Sequence, residues 1–268
     1  MAGFTLNTRI RAKADGSADT FEITTKTVEW DPAKAAVIIC DMWDTHHCIS
    51  TAERVAEMAP RMNEVVAGIR TGGALIIHAP SSCMGFYDKT PQRKRAQEAP
   101  FVEASVEFGW NGWNQPREIR QLEASPLPIG ITNPGPCSCH TPEPCYEEGV
   151  APWIRQIEMI EIAEADAISD DGQEVYNLLQ RIENVLVMGV AANICVLGRP
   201  FGIRQLVYLG KKPLLCRDLT DSHHCDHGGH FHGTDLTLEH IEKYWCPTVT
   251  SDQLVGGEAF RFRNDKRE

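Results

Sequence analysis

Short apolar runs alternate with longer amphipathic segments along most of this chain. Runs typical of strands buried on both faces occupy residues 34–41, 74–79, 157–162, 185–190, 213–217 and 247–250. Periodic apolar positions predict helices at residues 51–71, 171–181, 193–209 and 234–244. Strands that alternate with helices in this way form right-handed crossovers and a parallel sheet. We therefore predict a three-layer α/β/α fold with a mostly parallel central sheet.

Two segments depart from this alternation. Residues 1–30 alternate loosely and include an Asp-Gly turn signal, which predicts an N-terminal β-hairpin extension. Residues 80–150 are rich in proline and tryptophan, and so long a connection inside one domain is usually functional or an insertion. We predict a main domain at 31–256, with an insertion at about 80–150 that partly covers the active site or makes an oligomer contact, and a C-terminal tail at 257–268.

Composition and charge narrow the class of protein. The chain has 268 residues, of which 42% are hydrophobic and 24% charged, as in an ordinary globular domain. Its net charge of −11 argues against nucleic acid and anionic membranes as partners, because both attract a basic surface. No apolar run reaches the roughly 20 residues of a membrane span, and the first residues lack a signal-peptide core. Ten cysteines scattered through apolar runs favour a reducing compartment, so we expect a cytoplasmic protein.

Cys195 lies where a predicted strand turns into a predicted helix. Asn193 is a good helix N-cap, which places Cys195 in the first turn, where free backbone N–H groups and the helix dipole favour an anion. A thiol in such a position can have its pKa lowered to roughly 3.5–7.5 and act as a nucleophile near neutral pH. The alternative is an inert core cysteine, since free cysteine is among the most buried residue types.

Asp41 directly follows the first strand of the predicted parallel sheet. Ligands bind outside the carboxyl ends of such strands, and both Asp41 and Cys195 lie at or just past such an end. A carboxylate beside a thiol can take its proton and later return it to a leaving group. Trp43, Asp44 and His78 also lie at strand ends, and we predict that they bind substrate. For His78, a hydrogen-bonded position in the core is the alternative.

Two sequence motifs resemble a known family. Residues 38–44 read Ile-Ile-Cys-Asp-Met-Trp-Asp, and residues 189–195 read Gly-Val-Ala-Ala-Asn-Ile-Cys. Together they resemble the isochorismatase-like cysteine hydrolases, which include nicotinamidases and N-carbamoylsarcosine amidases. The Cys-Arg-Asp-Leu-Thr-Asp segment at 216–221 resembles that family's final strand and its Asp-containing loop. The resemblance covers roughly residues 30–255.

This resemblance implies a mechanism as well as a three-layer α/β/α fold. The family uses an Asp–Lys–Cys triad and forms an acyl-enzyme on its cysteine, and Asp41 and Cys195 match two of the three positions. It also has a non-proline cis peptide, which here would join Val190 to Ala191. That turn would aim the Ala191 and Cys195 N–H groups at one point, an oxyanion hole.

The family's lysine has no counterpart in this chain. It belongs on the strand before the helix that precedes the nucleophile strand, and this sequence has no lysine between Lys94 and Lys211. Glu161 or Glu164 falls nearest to the expected position. A carboxylate there would raise the pKa of Asp41, and one of the two carboxyl groups would stay protonated near neutral pH.

The other prediction is that a different cation replaces the missing lysine. We favour it because an acyl-transfer site without a cation is a poor catalyst. Arg199 follows the predicted nucleophile on the same predicted helix. We expect Arg199 to form an ordinary salt bridge with a carboxylate, either within the subunit or across a subunit interface. The expected sources of the cation lie elsewhere: Arg155, Lys89, Lys94 or a metal ion.

Two ligand-dense segments are candidates for metal binding. Imidazole and thiolate suit zinc, although neither spacing fits a standard zinc module, and a flexible polar lid is the alternative for the first segment. The second segment contains Cys137, Cys139 and Cys145, and we expect it to pin the insertion through a zinc knuckle or a disulfide. The first segment lies on the rim of the predicted active site and holds six candidate ligands: His223, His224, Cys225, His227, His230 and His232.

These features together predict a cysteine-dependent hydrolase that cleaves a small amide or other C–N bond through a covalent acyl-enzyme. We expect a small-molecule substrate, a homo-oligomer and no required cofactor, since the chain lacks a Gly-x-Gly-x-x-Gly or Walker loop. One alternative is a metal-assisted hydrolase that uses the His-rich loop at 223–232. The other is a non-catalytic small-molecule-binding homologue that has lost activity with the lysine.

Overall fold

The structure, a computed structural model, describes residues 3–14, 20–110, 127, 151–223 and 230–267. An eight-stranded sheet forms its centre, in the order β2-β1-β8-β7-β6-β3-β4-β5. Strands β3 to β8 run parallel to one another, whereas β1 is antiparallel to both β2 and β8. The strands are β1 (Phe4–Lys13), β2 (Phe21–Trp30), β3 (Ala35–Cys40), β4 (Leu75–Ala79), β5 (Ala167–Ile168), β6 (Asn184–Val190), β7 (Lys212–Asp221) and β8 (Thr248–Val249). The predicted mostly parallel sheet and the N-terminal hairpin are confirmed.

Helices cover both faces of this sheet, as predicted. They are α1 (Ile49–Thr71), α2 (Met84–Tyr87), α3 (Pro91–Gln97), α4 (Gly172–Leu178), α5 (Ile203–Tyr208), α6 (His230–Tyr244) and α7 (Asp252–Val255). Successive side chains of a strand point to opposite faces. Val37 and Ile39 of β3 therefore pack with α1, whereas Ile38 packs in a second core with α4, α5 and α6. Two apolar cores on either side of one sheet make the three layers.

The strand predicted at 157–162 is wrong. This segment forms turns instead, and the edge strand of the sheet is β5, a few residues later. The Ile157 N–H donates to the Met42 carbonyl, so the segment crosses the end of β3 rather than extending the sheet. Ile160 is buried under this crossing, Ile157 and Ile162 are partly buried, and Met159 is exposed. A buried loop and a buried strand can have the same apolar composition, which is why the run was misleading.

The single helix predicted at 193–209 is two separate elements. A π-helical turn covers Ala192–Val196, and α5 begins only at Ile203. Pro200 lies between them, and proline has no N–H for a helical hydrogen bond. The loop predicted after β4 also contains α2 and α3. The second of these begins at a Thr-Pro pair in which the Thr90 side chain accepts a hydrogen bond from Arg93 N.

Close approach of β6 to β3 brings the two motif strands together at their carboxyl ends. Gly189 has φ +123°, and a Cβ atom placed there would lie 2.0 Å from the Cys40 carbonyl oxygen. Only glycine allows backbone to approach backbone so closely in this conformation. The end of β6 therefore lies directly beside the end of β3, which Asp41 follows. Of the helices described, none combines the length and apolar composition needed to cross a bilayer.

Candidate active site

Cys195 lies in the π-helical turn that directly follows β6, and its side chain reaches the wall of a cavity. The Val190–Ala191 peptide before this turn is cis, as the family resemblance implied. Asn193 does not cap the turn, contrary to the prediction. Its side-chain amide instead exchanges two hydrogen bonds of 2.9 Å with the backbone of His223, and so ties the nucleophile turn to the end of β7.

Asp41 is fully buried and adopts a positive φ of 50° directly after β3. The Ser81 N–H donates to Asp41 Oδ1 at 2.7 Å. The charge of this carboxyl group raises the pKa of the Cys195 thiol, so the two groups lie close to each other. On the other side, Arg199 Nε donates to Asp41 Oδ2 at 3.4 Å. The structure thus brings together the two residues predicted from the motifs and adds a cation that was not predicted for this role.

Arg199 is a cation beside both Asp41 and Cys195. It follows Cys195 by four positions, and its N–H donates to the Cys195 carbonyl at 3.0 Å, so both side chains leave the same short stretch of backbone. Its guanidinium also lies 4.8 Å from the centroid of the Trp110 ring. The spacing of four residues, which places side chains on one face of a helix, is the sequence signal that could have identified it.

The hypothesis of two carboxylates in the site is wrong. Glu161 is exposed and lies 3.8 Å from Arg70, and Glu164 is exposed as well. The cations expected instead are also used elsewhere or exposed. Arg155 pairs with Glu158, Lys94 with Glu98 at 3.6 Å, and Lys89 is exposed.

Burial sets the protonation of this site. It raises the pKa of the Cys195 thiol well above its usual value, the Asp41 charge raises it further, and Arg199 opposes both. Burial also raises the pKa of Asp41, against the lowering influence of Arg199 and of hydrogen bonds from Cys195 and Ser81. This reverses the predicted direction for Cys195, because the turn leaves only 6% of the residue exposed. Cys195 therefore rests as a thiol beside a carboxyl group that can take its proton.

A cavity of about 490 Å³ opens beside the thiol. Aromatic rings dominate its wall. Trp43 and Trp153 stack with centroids 4.1 Å apart and an interplanar angle of 11°, and His46 stacks on both. The cavity is lined by Trp43, His46, His47, Thr51, Trp110, Trp153, Val190, Ala191, Ile194, Cys195, Arg199, Asp221, Ser222 and His223. The sequence marked Trp43 as a binding residue but not Trp153, which contacts it across more than a hundred positions.

Two imidazoles of the cavity wall, those of His47 and His223, are neutral at physiological pH. Burial and the neighbouring His46 lower the pKa of His47 to about 4 and that of His223 to about 4. The ring centroid of His46 lies 4.0 Å from that of His47 and 5.3 Å from that of His223. The imidazole rings of His47 and His223 therefore add hydrogen-bonding capacity to the cavity wall without adding positive charge.

A metal site from the predicted ligands is not assembled in the part of the chain that is described. His223 reaches the cavity, whereas His232 is exposed on α6. His224, Cys225, His227 and the side chain of His230 lie outside the described residues, as do Cys137, Cys139 and Cys145. Among the side chains that are described, no three of His, Cys, Asp or Glu are grouped so as to hold a metal ion.

Two residues predicted to bind substrate have other contacts. His78 is fully buried, with Nδ1 3.0 Å from Gln156 Oε1 and Nε2 3.0 Å from Asp166 Oδ2, so the alternative of a hydrogen-bonded core histidine is correct. Asp44 accepts a hydrogen bond of 3.2 Å from Ile154 N and lies 3.8 Å from Arg155. It therefore holds the segment that carries Trp153 and does not line the cavity itself.

No protein-family model matches this sequence, and no curated protein matches it either. Several solved structures resemble the fold. A cysteine hydrolase from Pseudomonas syringae pv. phaseolicola is 15% identical, with a TM-score of 0.49 over 85% of this chain and 94% of that one. An isochorismatase from Pseudomonas putida is 12% identical, with a TM-score of 0.47 over 84% of this chain and 91% of that one. A ribonuclease from Caenorhabditis elegans is 13% identical, with a TM-score of 0.47 over 85% of this chain and 84% of that one.

A cysteine hydrolase and an isochorismatase are thus among the solved structures whose fold this chain resembles. The likeness is one of backbone arrangement. The functional conclusion therefore depends on the side chains that line the cavity.

Proposed function

We propose that this protein is a cysteine-dependent hydrolase of a small amide or related C–N bond, with Cys195 as nucleophile, Asp41 as proton shuttle and Arg199 as the cation. The observation that carries this proposal is the position of the Asp41 carboxyl group. Its Oδ2 accepts from Arg199 Nε at 3.4 Å, its charge acts on the Cys195 thiol, and both Cys195 and Arg199 line the cavity. A nucleophile within reach of its base, with the base oriented by a third group, is the arrangement that covalent catalysis requires.

In the first half of the reaction, Cys195 Sγ attacks the carbonyl carbon of the substrate while Asp41 takes the thiol proton. The C–N bond then breaks, and Asp41 returns the proton to the departing nitrogen, which leaves as an amine or ammonia. The acyl group remains on sulfur as a thioester. The backbone N–H groups of Ala191 and Cys195 hold the oxyanion that forms during the attack.

In the second half, a water molecule gives a proton to Asp41 and attacks the thioester. The C–S bond breaks, the carboxylic acid leaves, and the proton returns to sulfur. The raised pKa of Asp41 suits this double role, because a base works best when its pKa approaches the working pH. Arg199 opposes this rise in pKa and so favours the ionised carboxylate that takes the proton.

The walls of the cavity favour a small, uncharged substrate. Arg199 is engaged by Asp41, and Asp221, the acidic residue of the wall, lies 2.8 Å from Arg54 Nε. The imidazoles of His47 and His223 are neutral. A cavity of about 490 Å³ is of the size that holds a small molecule.

An ammonia-release screen over small amides, carbamoyl compounds and ureides tests the proposal. We expect Cys195→Ala to lower turnover by several orders of magnitude, as removal of a covalent nucleophile does. Cys246→Ala is the matched control, because Cys246 is another buried free cysteine that does not line the cavity. An acyl adduct on Cys195, detected by mass spectrometry after rapid quenching, would add direct support.

Two results would overturn the proposal in different ways. If Cys195→Ala keeps its activity and a chelator removes it, the metal-assisted alternative is correct. If no compound is turned over while the same compounds bind and shift the melting temperature, the protein is the non-catalytic binding homologue.

A further inference from the structure

We propose that Trp110 is a positioning residue, which holds the Arg199 guanidinium beside Asp41 and Cys195, and that Gln205 anchors the backbone that delivers Trp110. This inference rests on the proposed role of Arg199 in the hydrolase. Trp110 belongs to the predicted insertion at about 80–150, so this insertion would contribute the residue that positions Arg199 beside Asp41 and Cys195.

Contacts on two sides define the position of the Arg199 guanidinium. Nε faces Asp41 Oδ2 at 3.4 Å, and the Trp110 ring lies 4.8 Å from the guanidinium carbon. The Arg199 side chain is 25% exposed, so solvent is an alternative partner for it. A planar guanidinium stacks on an aromatic face, and this contact is attractive both electrostatically and by dispersion. Without the ring, the arginine has more conformations that carry its charge away from Asp41.

The segment that carries Trp110 is itself held by a buried amide. Gln205 of α5 is fully buried, and its Oε1 accepts a hydrogen bond of 3.2 Å from Gly109 N. Its Nε2 donates to the Glu107 carbonyl at 3.1 Å. The Gln205 side chain thus binds the backbone on both sides of Phe108, and one of these contacts is to Gly109, which directly precedes Trp110. This two-point attachment fixes the direction from which Trp110 reaches Arg199.

Phe108 adds a second constraint on the same segment. It packs where α4 begins, since a Cβ atom on Gly172 would lie 2.7 Å from Phe108 Cδ1 and 2.8 Å from Pro200 Cβ. Pro200 directly follows Arg199, so Gly172 packs both against the anchored segment and against the arginine's own backbone neighbour. Packing and hydrogen bonding therefore place Trp110 before any substrate arrives.

A second arginine–tryptophan pair in the same molecule provides a matched control. Arg204 lies on α5 next to Gln205, and its guanidinium carbon is 5.1 Å from the ring centroid of Trp245. Trp245 does not line the cavity. A change to Trp245 removes a similar contact, whereas only a change to Trp110 removes the contact with the arginine beside the nucleophile.

The test measures the rate at which iodoacetamide alkylates Cys195, quantified on the Cys195 peptide by mass spectrometry between pH 7 and pH 9.5. This readout needs no substrate. Arg199 lowers the pKa of the thiol, so displacing its charge should slow alkylation at each pH. We expect Trp110→Leu to slow it about 5-fold and Trp110→Phe to restore part of the rate, in keeping with the usual strength of a cation–π contact. Trp245→Phe should leave the rate unchanged.

A double-mutant cycle separates positioning from access. Removal of Trp110 also opens the cavity, which by itself would speed alkylation. We expect Trp110→Leu to slow the reaction in the wild-type background but not in the Arg199→Gln background, because the effect passes through Arg199. Gln205→Leu should act in the same direction as Trp110→Leu, and Gln205→Glu, which keeps the acceptor for Gly109 N, should act less. Melting curves confirm that each variant is folded.

The outcomes distinguish this inference from the proposed function. If Arg199→Gln slows alkylation and Trp110→Leu does not, the positioning role is wrong and the proposed triad stands. If Arg199→Gln itself leaves the rate unchanged, the role of Arg199 in the proposed function fails first. An equal slowing by Trp110→Leu in both backgrounds would overturn the inference, since the tryptophan would then act without the arginine.

Discussion

Asp41 and Asp166 are both buried and each is paired with an arginine, yet their pKa values move in opposite directions. Burial raises the pKa of both. For Asp166, hydrogen bonds from His78 and Arg70 outweigh that effect and lower the pKa below its usual value. For Asp41 they do not, and its pKa is raised.

The number and quality of the hydrogen bonds explain the difference. Asp166 accepts from Arg70 Nε at 3.0 Å, from Arg70 Nη2 at 2.6 Å and from Ala163 N at 2.8 Å, and His78 Nε2 lies 3.0 Å away. Asp41 has one short bond from Ser81 N and one long contact with Arg199. A buried carboxylate that accepts several short hydrogen bonds stays ionised, whereas one with few such bonds can take up and release a proton. Asp166 therefore stabilises the fold, and Asp41 is suited to proton transfer.

The largest expected effect is that of Asp41→Asn on activity. The amide keeps the shape of the site but cannot take the thiol proton, so turnover should fall about 100-fold or more, the usual contribution of a general base. Steady-state kinetics on the best substrate of the screen measure this. If the change affects KM alone, Asp41 binds substrate and does not shuttle the proton.

Asp166→Asn should affect stability and leave the chemistry of the folded enzyme unchanged. The substitution leaves Arg70 without its carboxylate partner, and breaking a buried pair in this way costs about 3 kcal/mol. Urea unfolding measures the loss, and turnover per folded molecule is the companion measurement. A variant with normal stability and low turnover would show that Asp166 acts on the catalytic site through His78.

Arg199→Lys should be milder than Arg199→Gln. The lysine keeps the positive charge but loses the planar group that stacks on Trp110, so we expect a loss of about 10-fold in kcat/KM, comparable to the stacking contribution. Arg199→Gln removes the charge as well and should lose more. Equal losses would mean that the charge of Arg199 is irrelevant and that its shape alone matters.

The smallest expected effect is on the pH dependence of stability. Asp166 has a folded pKa below its unfolded value, so its stabilisation is present above about pH 4 and is lost as pH falls through the folded pKa. Asp41 has a folded pKa above its unfolded value, so its contribution is present below about pH 4 and is lost as pH rises. Melting temperatures from pH 3 to pH 8 should therefore show a deficit for Asp166→Asn that shrinks in acid. Asp41→Asn should show a gain of a few degrees that appears only toward neutral pH, and a gain independent of pH would contradict the assignment.

Local patterns in the sequence were sufficient for most of the strands, for the three layers and for Asp41 and Cys195 of the candidate site. The apolar runs that became β3 and β6 are buried on both faces, and such burial imposes a composition that can be read without coordinates. Asp41 and Cys195 directly follow these runs, and parallel strands bring such positions to one edge of the sheet. The motifs around them carried the same information.

Other features depend on contacts between distant parts of the chain, and only the tertiary structure decided them. The run at 157–162 became a loop because Ile157 binds the backbone after β3 rather than a strand at the edge. His47 follows strand β3 and His78 belongs to strand β4. His78 is enclosed by hydrogen bonds, whereas His47 faces the cavity. Composition and periodicity do not distinguish these cases.

The cation beside Asp41 is the clearest such case. Sequence position directed attention to Glu161 and Glu164, whereas the guanidinium of Arg199 enters from the nucleophile's own turn. A long side chain can reach a given point from many backbone positions, so the point that it occupies is set by its surroundings. Here Asp41 and Trp110 set it, and the chain brings those two residues together only when it folds.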